Sequence, residues 1–324
     1  MTDQARLAII GSGEIAGFHI AAARQAGFVI EHVAARPNST TTKPFAEKFE
    51  IPHVWSDPSE LIRASDLWDA IILAVQTEAM VPLLELAIET GKSVLAEKPV
   101  GLTSGGISHL TGTSAPVMVG FNRRFYTPVQ AAKEFIETGG PCLMHLELPE
   151  DVPIDQNTGS RDLRAVRLNS VHGFDLANYL APGLAIVDVH HVQTSGKKRG
   201  GLVVLGSPRG DICSISANWN APANFSLAID RDGERFELRP LEYGAIYRGM
   251  RVVEPTTEVP IRKYLPQRVA EILPDQDSIN FKPGFVAQCR ALLDLTSGKR
   301  SLIAANLSDA KSALEIAESI MGDS

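Results

Sequence analysis

A chain of 324 residues is too long for one small domain and, at about 150 residues per domain, reads as two. Apolar residues make up 44% and charged residues 21%, the balance of a soluble globular chain, which excludes wholesale disorder. The 31 Lys and Arg against 38 Asp and Glu leave a formal charge of -7, and no basic stretch is interleaved with aromatics, so nucleic-acid binding is not expected. Cys142, Cys213 and Cys289 stand far apart without a C-x-x-C spacing and read as reduced thiols of a cytoplasmic protein. Apolar runs such as residues 70–75 are about a third of a membrane span, and the N-terminus lacks a basic region followed by an apolar core, so neither membrane association nor export is expected.

Through residue 125, short runs rich in Ile and Val alternate with helical segments, the βαβ pattern of a parallel sheet. Strands are expected at residues 7–10, 30–34, 70–74, 93–96 and 117–121, and helices at 16–26, 42–49, 59–64 and 81–90. Gly27 and Gly91 end two of those helices. Residues 1–125 are therefore read as a doubly wound Rossmann domain of the α/β class.

Residues 126–324 are read as a second domain of α+β type with a mostly antiparallel open sheet. A helix at 129–138 leads to strands at 143–148, 186–194, 201–205, 211–217, 225–229 and 235–238, with a hairpin turn at Asp232-Gly233 and a helix at 170–180 among them. Residues 254–277 hold four prolines without a clear period and read as a long loop or arm. Helices at 284–296 and 308–320 close the chain, in the second domain or packed back on the first.

The first strand runs into Gly11-Ser12-Gly13-Glu14-Ile15-Ala16, a G-x-G-x-x-A loop opening a helix. Gly11 allows the tight turn, Gly13 the approach of a pyrophosphate, and Ala16 close packing of helix on strand. The N–H groups of the helix start then face the phosphates, while the Glu14 carboxylate must turn outward. After the second strand the chain reads Ala34-Ala35-Arg36-Pro37-Asn38-Ser39-Thr40, without the acid that would hold ribose hydroxyls. Arg36 is suited to a 2′-phosphate or to stacking on adenine, so NADP is favoured and NAD is the alternative.

These residues resemble the glucose-fructose oxidoreductase, inositol dehydrogenase and rhizopine catabolism family, shortened to Gfo/Idh/MocA. The resemblance rests on the glycine loop with His19 after it, on Glu97-Lys98-Pro99, on Gly120-Phe121-Asn122-Arg123-Arg124-Phe125 and on His172-x-x-Asp175. Phe281-Lys282-Pro283-Gly284-Phe285 looks like members acting on sugars of surface polysaccharides. The resemblance implies that Lys98 stands beside the nicotinamide and the reacting carbinol, that Glu97 contacts the nicotinamide ribose, and that His172 is supplied by the second domain. It further implies cofactor contacts at Ala74, Val75, Gln76 and Asn122, substrate contacts at Arg124, Asn169 and Asp175, and a homodimer or homotetramer formed through the second sheet. No metal is expected, since no His, Cys and carboxylate set has a ligand spacing. His190 and His191 are expected on opposite faces of one strand.

Two departures from the family pattern matter. Many members carry Asp four residues before the histidine and Gly two before it, where this chain has Leu168 and Ser170. Asn169 is a neutral amide and cannot replace that carboxylate as a base. Where the family often has Thr-Pro-Asn and a later His, this chain has Val75-Gln76-Thr77 and Met80. The expected function is a nicotinamide-dependent oxidoreductase on a secondary hydroxyl or ketone of a sugar, free or nucleotide-linked, with Lys98 and His172 as the proton-transfer pair. The alternative, motivated by Leu168, is a non-catalytic cofactor-binding sensor or regulatory subunit.

Overall fold

The structure, a computed structural model, describes residues 4–153, 166–194 and 197–322. They form two compact units: residues up to Phe125 together with Gln276–Glu318, and Tyr126–Asp275 together with the residues from Ser319 onward.

The first unit begins β1 (Arg6–Ile10), α1 (Glu14–Ala26), β2 (Val29–Ala34), α2 (Thr42–Lys48), β3 (His53–Trp55), α3 (Pro58–Arg63), β4 (Ala70–Leu73), α4 (Thr77–Glu89), β5 (Ser93–Ala96), α5 (Ser104–Ile107) and β6 (Val117–Val119). Its six strands are parallel in the order β3-β2-β1-β4-β5-β6, with the order reversing between β1 and β4. Every residue of β4 and β5 is buried, which is why they read as continuous apolar runs. Gly27, at φ 108°, ends α1 by donating its N–H to Ala23 and Arg24 carbonyls. Two expectations are corrected. The edge strand β3 was not foreseen, because three half-exposed residues carry no periodic signal. The helix expected at 81–90 begins at Thr77, with Pro82 inside it; Pro82 suits a helix start and drew the expected boundary toward itself.

The second unit contains α6 (Thr127–Glu137), β7 (Leu143–Glu147), α7 (Val171–Leu180), β8 (Ala185–Thr194), β9 (Lys197–Gly206), β10 (Ile212–Ala217), β11 (Ser226–Arg231), β12 (Glu234–Leu238), β13 (Gly244–Val253) and β14 (Lys263–Ile272). Its eight-stranded sheet has the order β14-β13-β12-β11-β7-β10-β9-β8 and is antiparallel except for the β7–β10 pair. Alternation is clear on β7 and β10, where Met144, Leu146, Cys213 and Ile215 are buried while Leu143 and Ile212 are exposed. Asp232-Gly233 closes the β11–β12 hairpin, with Gly233 at φ 70°. The loop expected at 254–277 is corrected: ten of its residues form β14, paired with β13. Both strands are largely exposed, so no burial pattern marks them, and Pro266 is tolerated because β14 is the sheet edge.

The chain ends in α8 (Gln276–Asn280), α9 (Phe285–Thr296) and α10 (Leu307–Met321). Phe285, Val286, Cys289 and Leu292 of α9 share a core with Ile9, Ile20, Ile72 and Leu95 of the first unit. Burying such a side chain stabilises by roughly 1.5–3 kcal/mol, enough to make α9 integral to that unit. No helix among the described residues is long and apolar enough to cross a membrane.

Candidate active site

The carboxyl ends of β1 and β4 build the first part of the site. Gly11 turns at φ 117°, and a Cβ there would lie 2.1 Å from the Ala74 carbonyl oxygen, so no side chain fits. A Cβ on Gly13 would meet nothing within 4 Å, which leaves its outer surface free for a ligand. Gly13 also caps α1 without a side-chain hydrogen bond, so the first-turn N–H groups are open to an anion. Ala16 is buried, Glu14 points to solvent and Ile15 is exposed.

A cleft of about 690 Å³ brings together Gly11, Ser12, Gly13, Arg36, Ala74, Val75 and Gln76. Its volume and open helix terminus fit a dinucleotide. Ser12 Oγ lies 2.9 Å from Thr41 Oγ1, which lies 3.1 Å from Ser39 Oγ, so a chain of hydroxyls joins the glycine loop to the Arg36 turn. Arg36 is exposed; its carbonyl accepts the Ser39 N–H at 3.1 Å, while its guanidinium has no hydrogen-bond or ion-pair partner among the described residues. Asp57 lines the same cleft and caps α3, accepting the Ser59 N–H at 2.8 Å.

Glu97 and Lys98 follow β5, one strand beyond β4 at the same sheet edge. Glu97 is buried; His19 Nε2 donates to its Oε1 at 2.7 Å, and the Lys98 N–H donates to its Oε2 at 3.1 Å. Burial pushes the Glu97 carboxyl up, but the His19 hydrogen bond, the charges of His19 and Lys98 and the Lys98 N–H outweigh it and hold the group below the usual carboxylate range. Lys98 is half-buried, and its peptide bond to Pro99 is cis. Two expected site residues are engaged elsewhere in this unit: Asn122 donates to the Pro283 carbonyl at 2.8 Å, and buried Arg124 pairs with Asp309 at 3.4 Å.

In the second unit, His172 and Asp175 are buried on α7. The turn before it holds Leu168, half exposed, and Asn169 and Ser170, which donate to the buried Glu150 carboxylate at 3.4 and 3.0 Å. Glu150 follows β7, so a carboxylate does stand at the head of this helix, supplied by another element. Residues 154–165, between β7 and α7, lie outside the described residues.

Residues 5–115 match the model of an oxidoreductase family with an NAD-binding Rossmann fold, named GFO_IDH_MocA. An inositol 2-dehydrogenase of Corynebacterium glutamicum is 25% identical over 247 residues, covering 71% of this chain and 72% of that protein. Over residues 5–115 the chain is thus similar to the Gfo/Idh/MocA family. An uncharacterised oxidoreductase of Bacillus subtilis, YrbE, is 28% identical over 199 residues, 59% of this chain, and the match spans 57% of its own length. A solved structure of levoglucosan dehydrogenase with NADH and L-sorbose superposes with a TM-score of 0.76 at 17% identity, covering 98% of this chain and 96% of that one. At that identity the likeness concerns the fold alone.

Sequence reasoning missed three groups of this site. Glu150 escaped because its partners lie 19 and 20 positions away, beyond any helix-face spacing. His19 and Glu97 were both noted but not paired, since 78 positions separate them. Asp57 lies beyond the end of β2, where the acid that holds ribose hydroxyls is expected. An Asp followed by Pro58 and a helical run was its available signal.

Proposed function

We propose that this protein is a cytoplasmic nicotinamide-dependent dehydrogenase acting on a secondary hydroxyl, or the corresponding ketone, of a sugar or polyol, free or nucleotide-linked. The observation that carries the reading is the placement of Lys98 just beyond the carboxyl end of β5, the strand next to β4 whose end at Ala74 lines the glycine-loop cleft, with its backbone bound by buried Glu97. When bound, a nicotinamide dinucleotide supplies the acceptor or donor of hydride. Gly11, Gly13 and the start of α1 hold its pyrophosphate, and Arg36 takes a 2′-phosphate, favouring NADP. Lys98 takes the hydroxyl proton in oxidation and returns it in reduction, and His172 of the second unit shares that proton. The Asn169 amide binds a substrate hydroxyl, with Glu150 orienting the amide through its accepted hydrogen bond. Purified protein incubated with a panel of sugars, polyols and nucleotide sugars is expected to change the absorbance of NADP or NAD. No turnover with either cofactor across the panel would overturn the reading.

The chain is further proposed to form a homodimer or homotetramer through the open face of the second sheet. Leu143, Val187, Leu202 and Ile212 are exposed on its strands and would be covered by a partner sheet. Sedimentation at micromolar concentration is expected to show a species of at least twice the 35.0 kDa chain mass. A single species at the chain mass would refute this assembly.

A further inference from the structure

The buried pair His19–Glu97 has no part in the proton transfer proposed above, yet its geometry bears on it. His19 is fully buried on α1, the helix that opens at the dinucleotide loop, and its ring packs on Phe285 of α9 with centroids 4.6 Å apart. Its Nε2 donates to Glu97 Oε1 at 2.7 Å, while Nδ1 has no partner among the described residues, so the carboxylate is the ring's one polar anchor there. The second Glu97 oxygen accepts the Lys98 N–H. Gly120 makes room for this arrangement, since a Cβ there would lie 2.9 Å from the Glu97 carboxyl carbon. Glu97 is therefore fixed at one oxygen by α1 and at the other by the backbone of Lys98, and rotating its carboxylate breaks hydrogen bonds to a buried charge.

We propose that His19 is a positioning residue: through the Glu97 carboxylate it fixes the backbone at Lys98, joining the helix of the dinucleotide loop to the residue at the end of β5. The inference rests on the reading of Lys98 given above, and it gives the buried pair a task that packing alone does not require.

The groups facing Glu97 are His19 from α1, Lys98 from its own strand end, and from α9 the Cys289 thiol, which burial and the charge of Glu97 push up to about 12. With His19 present the Glu97 carboxyl is held low, so its contribution to stability is complete above its unfolded range and is lost only as pH falls through the folded value. Without His19, the hydrogen bond and charge that chiefly oppose burial are gone, and the folded carboxyl is expected to rise. Relative to wild type, stability is then retained at low pH and lost as pH rises.

His19→Phe, which keeps a ring against Phe285, is the test. Its Tm deficit relative to wild type is expected to be larger near pH 7.5 than near pH 5, and the difference between the two pH values should shrink when the same pair is compared in a Glu97→Gln background. Turnover should fall about tenfold while cofactor binding, read by nicotinamide fluorescence, stays within about twofold. His19→Gln, which retains a donor, should restore most of both properties and serves if the Phe variant does not fold. A Tm deficit with the same size at both pH values, or turnover within about twofold of wild type in both variants, would overturn the inference. The melting cycle involves neither substrate nor the Lys98 amine. Retained turnover in Lys98→Met would instead count against the proton role and leave the melting result to stand separately.

Discussion

Lys98→Met is expected to lose turnover by about a hundredfold or more while binding cofactor within about twofold of wild type. The substitution keeps an unbranched apolar stem and removes only the ammonium, so it tests proton transfer with little change of packing. Cofactor binding should survive because the glycine loop, the start of α1 and the Glu97 carboxylate are untouched, and the Lys98 N–H that Glu97 accepts is backbone. His172→Ala should lower turnover by a similar or smaller factor, since an imidazole that shares the proton is less costly to lose than the group that takes it. Stopped-flow turnover alongside fluorescence titration of cofactor separates the two quantities. Nearly full activity in both variants would mean that another acid or base carries the proton.

The parts of this protein legible in its sequence are those whose burial imposes a period. β1, β4 and β5 are covered on both faces, so Leu7 to Ile10, Ala70 to Leu73 and Ser93 to Ala96 stand out as unbroken runs. The β13–β14 ribbon shows the converse. Most of its twenty residues face solvent, so Met250, Tyr264 and Leu265 carry no alternation; Pro255 and Pro260 do fall in the connecting loop, but Pro266 extends the loop signal onto a sheet edge. The glycine loop was legible because its chemistry is local: Gly11 needs its positive φ and its contact with the Ala74 carbonyl whatever the rest of the chain does. The contacts around His172 are not local. Leu168 suggested a helix without a carboxylate, but Ser170 and Asn169 reach back to Glu150 on another element, and no spacing rule connects them.

Arg36→Ala is expected to weaken NADP binding about ten- to a hundredfold and to change NAD binding little. Arg36 lies in the cleft and its guanidinium has no partner among the described residues, so it is available for a bidentate bond to a phosphate, and the Ser39 and Thr41 hydroxyls beside it supply further donors. Asp57 lines the same cleft and opposes a second negative charge, which moderates the preference. Its carboxylate is held by the Ser59 N–H as the cap of α3, so it stands as a fixed charge in both cofactor complexes and cancels from the comparison of Arg36 with Ala. Titrating each reduced cofactor against wild type and variant at two salt concentrations reads the effect directly, because a guanidinium–phosphate contact weakens with ionic strength where exposed. Equal losses for both cofactors would place Arg36 on the adenine face, where stacking is indifferent to the 2′-phosphate. No loss for either would put its charge in solvent and remove the ground for preferring NADP.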